Sequence, residues 1–160
     1  MQVEMKEVHD PKRKSEICDY ILRALPSWFG VEASIVEYTE KVKDMPFCAV
    51  FAGEMPVGFV PLKEHNLYTA EVCVMGVLPG YHRQGLGKKL ISWCEARCLE
   101  SRREFLTVKT LDESRASKSY EKTRLFYLSV GFRPLEVFPL FWDEDNPCLF
   151  LVKHIGGQAR

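Results

Sequence analysis

The stretch Val77–Leu90, VLPGYHRQGLGKKL, decides how this chain is read. The run ahead of it, AEVCVMGVL (Ala70–Leu78), is nearly all apolar and predicts a strand buried on both faces. Behind it, Leu86, Leu90, Trp93 and Cys94 recur at helical spacing, and the aliphatic stem of Arg97 extends the stripe, so a helix is predicted over Gly85–Arg102. A strand that turns through glycines into a helix presents free N–H groups and the positive end of the helix dipole, which together suit a phosphate. Glycines there let phosphate oxygens reach the main chain with no Cβ in the way. Arg83, Lys88 and Lys89 add positive charge.

Two familiar phosphate loops do not fit. A magnesium-nucleotide loop places lysine and then Ser or Thr after its last glycine. Gly80 and Gly85 have the right gap, but Leu86 stands where that lysine belongs. A dinucleotide fingerprint needs a third glycine, and after Gly85-Leu86-Gly87 the chain continues Lys88-Lys89-Leu90. A cradle for a pyrophosphate, with no magnesium-nucleotide site, is what remains.

The rest of the chain is consistent with one domain, residues 1–160, built around one core. It is 46% hydrophobic and 12% aromatic, so core material is ample. Lys+Arg and Asp+Glu are 22 each, and the zero net charge excludes a dedicated nucleic-acid binder. No apolar run approaches the roughly 20 residues of a membrane span. The opening MQVEMKEVHDPKRKSE has no apolar core of a secretory signal, so the expected compartment is the cytoplasm. Cys18, Cys48, Cys73, Cys94, Cys98 and Cys148 are then expected as reduced, buried thiols, with no metal bound.

Val3–Val8 alternates as a strand. Pro11 opens a helix with Ile17, Ile21, Leu22 and Leu25 on one face, LPSWFG breaks it, and Val31–Lys43 forms a weaker helix. Phe47–Gly53 and Pro56–Leu62 predict a hairpin turning near Gly53-Glu54. FLTVKTL (Phe105–Leu111) is the next strand. Ser117–Val130 is a helix stopped by Gly131. Two last strands, near Arg133–Phe138 and Cys148–Ile155, are joined by the polar FWDEDNP. The order β-α-α-β-β-β-α-β-α-β-β predicts an α/β (α+β) fold with at least one parallel crossover.

VLPGYHRQGLGKKL resembles motif A of the GCN5-related N-acetyltransferases (the GNAT family), Gln/Arg-x-x-Gly-x-Gly/Ala. Its window here is His82-Arg83-Gln84-Gly85-Leu86-Gly87, with His82 departing from the first position. The family's later Tyr-x-x-x-Gly-Phe pattern is matched by Tyr127-Leu128-Ser129-Val130-Gly131-Phe132. The order of elements also follows the family, so the resemblance spans essentially the whole chain and is weakest over residues 10–45. It implies a single GNAT-type domain, a central mixed twisted sheet of about six to seven strands with about four helices.

It further implies acetyl coenzyme A as acyl donor, no metal, and direct transfer to a primary amine. Met75, Gly76, Val77, His82, Arg83, Gln84, Gly85, Leu86, Gly87 and Lys88 are then the cofactor-binding residues. The pantetheine arm is expected beside Met75–Val77, with a main-chain N–H near Val77 polarising the acetyl carbonyl. Gly76 is expected to permit a bulge that opens room for the arm. Glu71 matches the glutamate of the histone-acetylating branch and is the candidate base, with burial expected to raise its pKa. The alternative for Glu71 is an exposed strand end. Tyr127 matches the general-acid tyrosine, against the alternative of a core aromatic. Tyr120 and Thr123 stand where many relatives carry Asn and Ala. Cys73 is expected to be inert.

The acceptor cleft, by resemblance, is lined by LPSWFGVE and FPLFWDEDNP. Trp28, Phe29, Phe141 and Trp142 would form an aromatic wall, and Glu32, Asp143, Glu144 and Asp145 would attract a cationic amine. WDEDNP also reads as a plain solvated turn. The acceptor is a small-molecule or protein amine, and a homodimer is compatible with the sequence. A silent acyl-CoA-sensing module of the same fold is the alternative to an enzyme, and a domain without CoA would leave Gly85-Leu86-Gly87 unexplained.

Overall fold

In a computed structural model, which describes residues 2–156, the chain runs β1 (Val3–Glu7), α1 (Pro11–Arg23), α2 (Glu32–Lys41), β2 (Phe47–Ala52), β3 (Met55–Glu64), β4 (Thr69–Val72), β5 (Gly76–Val77), α3 (Leu86–Glu100), β6 (Phe105–Leu111), α4 (Lys118–Ser129), β7 (Arg133–Asp143) and β8 (Asn146–His154). This is a mixed α/β fold with the four helices expected. It has eight strands among the described residues, because the single strand expected over Ala70–Leu78 is two. Cys73–Met75 between them leaves the regular strand, although the Cys73 N–H still donates to the Pro61 carbonyl at 3.4 Å. An apolar run signals burial on both faces but not continuous pairing. No described helix is long and apolar enough to cross a membrane.

Two compact units are present, Met1–Lys63 with Val72–Cys94, and Glu64–Glu71 with Glu95–Arg160. In the first, β2 lies between β1 and β3, both antiparallel to it, and β5 pairs antiparallel with β3. The β2–β3 turn falls on Gly53-Glu54, where Gly53 takes φ 64°, the left-handed conformation a tight hairpin needs. α1 starts where Asp10 caps it, accepting the Arg13 N–H at 3.1 Å, with Pro11 in the first turn, where its missing N–H costs nothing. Its face of Ile17, Cys18, Ile21 and Leu22 packs with Phe47, Ala49, Phe59 and Val74 in the core. Phe47 and Phe59 stack at 5.5 Å, and each such fully buried side chain contributes about 1.5–3 kcal/mol.

Gly76 also serves this core. A Cβ there would sit 2.9 Å from Ile21 Cγ2 and 3.0 Å from Leu25 Cδ1, so the glycine lets α1 lie directly on β5. The strand break falls just before it, at Cys73–Met75.

In the second unit the strands run β4-β6-β8-β7, with β8 antiparallel to both neighbours. β7 and β8 are longer than expected, and Phe141, Trp142 and Asp143 lie in β7 rather than in a loop. Only Glu144 and Asp145 turn the corner. The Asp143 carboxylate accepts the Asp145 N–H at 2.9 Å and the Asn146 side-chain N–H at 2.9 Å, which closes the hairpin locally.

Candidate functional site

The turn that precedes α3 lies wholly in the first unit. β5 is anchored by Leu78 N–H donating to the Val57 carbonyl at 2.8 Å. A short 3-10 turn over Pro79–Tyr81 follows. Arg83 then adopts φ 62° and Gly85 φ 75°. Left-handed backbone is easy for glycine and strained for arginine. The Lys89 N–H closes onto the Gly85 carbonyl at 3.1 Å as the helix begins. By helix geometry, the N–H groups just before it have no carbonyl within the helix to bond. No described atom lies within 4 Å of a Cβ built at Gly80 or Gly85 beyond their chain neighbours. Lys88 and Lys89 are exposed beside Gly85 and line a shallow groove with Met5, Ser92 and Trp93.

His82 fastens this turn. Its Nε2 lies 2.7 Å from the Val77 carbonyl, which only accepts, so Nε2 carries the proton. Its ring meets Trp28 edge-on at 6.1 Å. Arg83, Gln84 and Gly85 are exposed, Leu86 is buried as the first core residue of α3, and Gly87 is half-buried. Met75, Gly76, Val77 and the residues from His82 to Lys88 thus sit together in one unit, as one strand–turn–helix.

Glu71 and Tyr127 belong to the second unit. Glu71 is only 4% exposed, so it is not a solvent-facing strand end. Its carboxylate is heavily engaged. Lys109 Nζ donates to Oε1 at 3.1 Å and Oε2 at 2.9 Å, and His65 Nε2 lies 2.6 Å from Oε1. Lys109 in turn sits over the rings of Phe141 and Phe150, 5.0 and 5.2 Å from their centroids. These contacts extend along one face from β4 through β6 to β8 and β7.

Tyr127 is 6% exposed, near the end of α4. The helix starts on Ser117, whose Oγ accepts the Tyr120 N–H at 3.3 Å. It ends with the Phe132 N–H donating to the Tyr127 carbonyl at 3.0 Å and the Gly131 N–H to the Leu128 carbonyl at 3.1 Å, with Gly131 at φ 101°. That bond pair is a Schellman cap, and the Tyr127–Phe132 ring contact at 5.5 Å is its usual apolar clasp. Lys153 completes the end, donating to the Val130 carbonyl at 2.6 Å and pairing with Glu95. The Tyr-x-x-x-Gly-Phe spacing therefore has a full structural reason. Thr123 spends its hydroxyl on the Ser119 carbonyl at 3.2 Å, and burial pushes the Tyr120 phenol up.

Of the acceptor candidates, Trp28, Phe29 and Glu32 lie in the first unit, and Phe141, Trp142, Asp143, Glu144 and Asp145 in the second. Glu32 is committed to Arg23, bidentate at 2.6 and 2.8 Å, and Asp143 to its own hairpin. Phe141 and Trp142 are 52% and 44% exposed. All six cysteines are free thiols. Burial pushes Cys18, Cys48 and Cys148 up to about 12 and Cys98 up to about 11, so none of these four is a thiolate at neutral pH. Among the described residues no group of His, Cys, Asp or Glu could hold a metal ion.

Sequence reasoning missed His65 and Lys109. Lys109 carried a partial signal: a lysine inside the apolar strand FLTVKTL needs an anionic partner wherever its strand face is covered. His65, in a polar loop, carried none.

Residues 44–134, more than half of the chain, match the model of the acetyltransferase (GNAT) domain. Among solved structures, a GNAT-family protein from Desulfovibrio desulfuricans aligns with a TM-score of 0.82 at 14% identity, covering 97% of this chain and 100% of that one. The ribosomal-protein-S18-alanine N-acetyltransferase of Escherichia coli aligns at 0.76 with 13% identity, covering 99% and 97%. An aminoglycoside 6'-N-acetyltransferase complexed with coenzyme A aligns at 0.74 with 17% identity, covering 100% of each chain. At such identities the likeness is one of fold. No curated protein matches the sequence.

Proposed function

The chain belongs to the GNAT acetyltransferase family, and from that premise we propose that it transfers an acetyl group from acetyl-CoA to a primary amine by direct transfer. The observation that carries this reading is the turn before α3, with left-handed Arg83 and Gly85 and open space at Gly80 and Gly85. Backbone strain of this kind clusters at ligand-binding turns, which supports a cradle here. Main-chain N–H groups from Gly85 to Lys88 hold the pyrophosphate, with Arg83 and Lys88 supplying charge. His82 acts through its bond to the Val77 carbonyl, which fixes the turn on the strand.

When bound, acetyl-CoA supplies an activated thioester carbonyl. Met75–Val77 hold the pantetheine arm through main-chain bonds, and an N–H near Val77 stabilises the oxyanion. The attacking nitrogen must first lose a proton, since alkylammonium groups have a pKa near ~10.4. Glu71 supplies the carboxylate for that base role. Tyr127 protonates the departing thiolate, since a phenolic hydroxyl is a proton donor at neutral pH.

Amine-dependent release of the free thiol tests the reading, with a polyamine, an aminoglycoside, free amino acids and a peptide N-terminus as acceptors. At least one is expected to be acetylated, and Glu71→Gln is expected to lower kcat by about 100-fold. Saturable acetyl-CoA binding with no thiol release from any amine would favour the silent sensing module instead.

A further inference from the structure

A general base needs an open lone pair where a proton can arrive. Glu71 is 4% exposed, and three contacts from Lys109 and His65 occupy most of its roughly four acceptor sites. Its Oε1 lies 2.6 Å from His65 Nε2. A carboxylate paired with Lys109 on both oxygens only accepts, so Nε2 is the donor and carries the ring proton. The neutral imidazole then has its lone pair on Nδ1. The His65 side chain is 32% exposed, whereas that of Glu71 is 6% exposed.

The loop holds the ring in place. The His65 main-chain N–H donates to the Thr69 carbonyl at 3.0 Å, and the Asn66 side chain accepts the N–H groups of Tyr68 and Thr69 at 2.7 and 2.9 Å. Glu71 of β4 contacts the ring directly, and Lys109 of β6 pairs with that same carboxylate. Glu64, next in the chain, is bound by Arg103 at 2.6 Å. With neutral imidazole the three side chains Glu71, Lys109 and His65 sum to zero charge. The carboxylate beside the ring attracts a positive charge that develops on it.

We propose that the base role assigned to Glu71 is exercised through His65: its Nδ1 accepts the proton, and Glu71 is the positioning carboxylate that fixes the tautomer and orients the ring. This rests on the acetyltransferase reading and deepens it. In the step, an N–H bond of the substrate ammonium breaks and an Nδ1–H bond forms. The freed lone pair forms the C–N bond, the C–S bond breaks, and Tyr127 gives its phenolic proton to the departing thiolate. The second proton shed by the new amide nitrogen restores the phenol. The imidazolium then returns its proton to water. Lys109 holds both Glu71 oxygens in place.

The test compares His65→Gln, which keeps a donor for Glu71 but has no basic nitrogen, with His65→Ala assayed in added imidazole. His65→Gln is expected to lower kcat/KM by about 100-fold and to remove the acid limb of its pH profile, with acetyl-CoA binding unchanged. Imidazole is expected to restore activity to His65→Ala and to leave the Glu71→Gln variant unrestored. Wild-type kcat/KM and pH profile in His65→Gln, beside a weakened Glu71→Gln, would overturn this proposal and leave the acetyltransferase reading standing. No thiol release by the wild type with any amine would overturn both. Independently of turnover, nitrogen-15 NMR of the neutral ring is expected to find the proton on Nε2. A proton on Nδ1 instead would also overturn the proposal.

Discussion

The turn before α3 and the end of α4 each rest on a glycine with positive φ, at 75° for Gly85 and 101° for Gly131, but they treat it in opposite ways. At Gly131 the main chain is closed. The Schellman bonds and Lys153 take the last carbonyls of α4, and a Cβ there would meet Lys153 Cε at 3.0 Å. At Gly85 the main chain is open, with no described atom within 4 Å of the corresponding Cβ. Gly131 answers a folding need. Gly85 and the left-handed Arg83 form no such cap and leave the turn open, which is why a ligand is assigned there. Two patterns that look equally functional in a sequence are thus separated by asking where their backbone groups go.

Tyr127→Phe is the sharpest way to break that contrast. It keeps the ring clasp on Phe132 and removes only the hydroxyl. If the closed end of α4 also takes part in the chemistry, kcat is expected to fall by about 100-fold while the unfolding midpoint barely moves. Unchanged turnover would leave Tyr127 a capping aromatic. Gly131→Ala probes the same end from the folding side. The forced conformation and the Lys153 contact are expected to cost about 1–3 kcal/mol in denaturant unfolding, with acetyl-CoA affinity unaltered. Arg83→Gly is the mildest change. Relief of strain and added chain entropy nearly cancel, so stability is expected to stay within about 1 kcal/mol. Acetyl-CoA affinity is expected to drop only severalfold, because one exposed charge is worth about 0.2–1 kcal/mol.

The elements that were legible in the sequence are those with a local cause. The Gly53 turn, the Asp10-Pro11 helix start and the Gly131 stop each follow from turn or cap chemistry. What escaped depends on distant partners. The packing role of Gly76 is set by Ile21 and Leu25 of α1, far away in sequence. FWDEDNP was expected to be a polar turn, yet Phe141–Asp143 extends β7, where Phe141 meets Phe150 at 5.2 Å, and Asn146-Pro147 opens β8. In the candidate site, the residues from Met75 to Lys88 were legible because they form one continuous motif. The surroundings of Glu71 were not, because Lys109 arrives from β6 and His65 from a loop without pattern.

The account stands or falls on the open turn, and isothermal titration with acetyl-CoA addresses it most directly. The wild-type protein is expected to bind at one saturable site. Gly87→Glu should lose that binding, because its carboxylate would repel the pyrophosphate at the helix start. A glutamate in a first turn favours the helix, so the variant is expected to fold. Absence of binding by the wild type, or undiminished binding by Gly87→Glu, would contradict the assignment of this turn as the phosphate cradle.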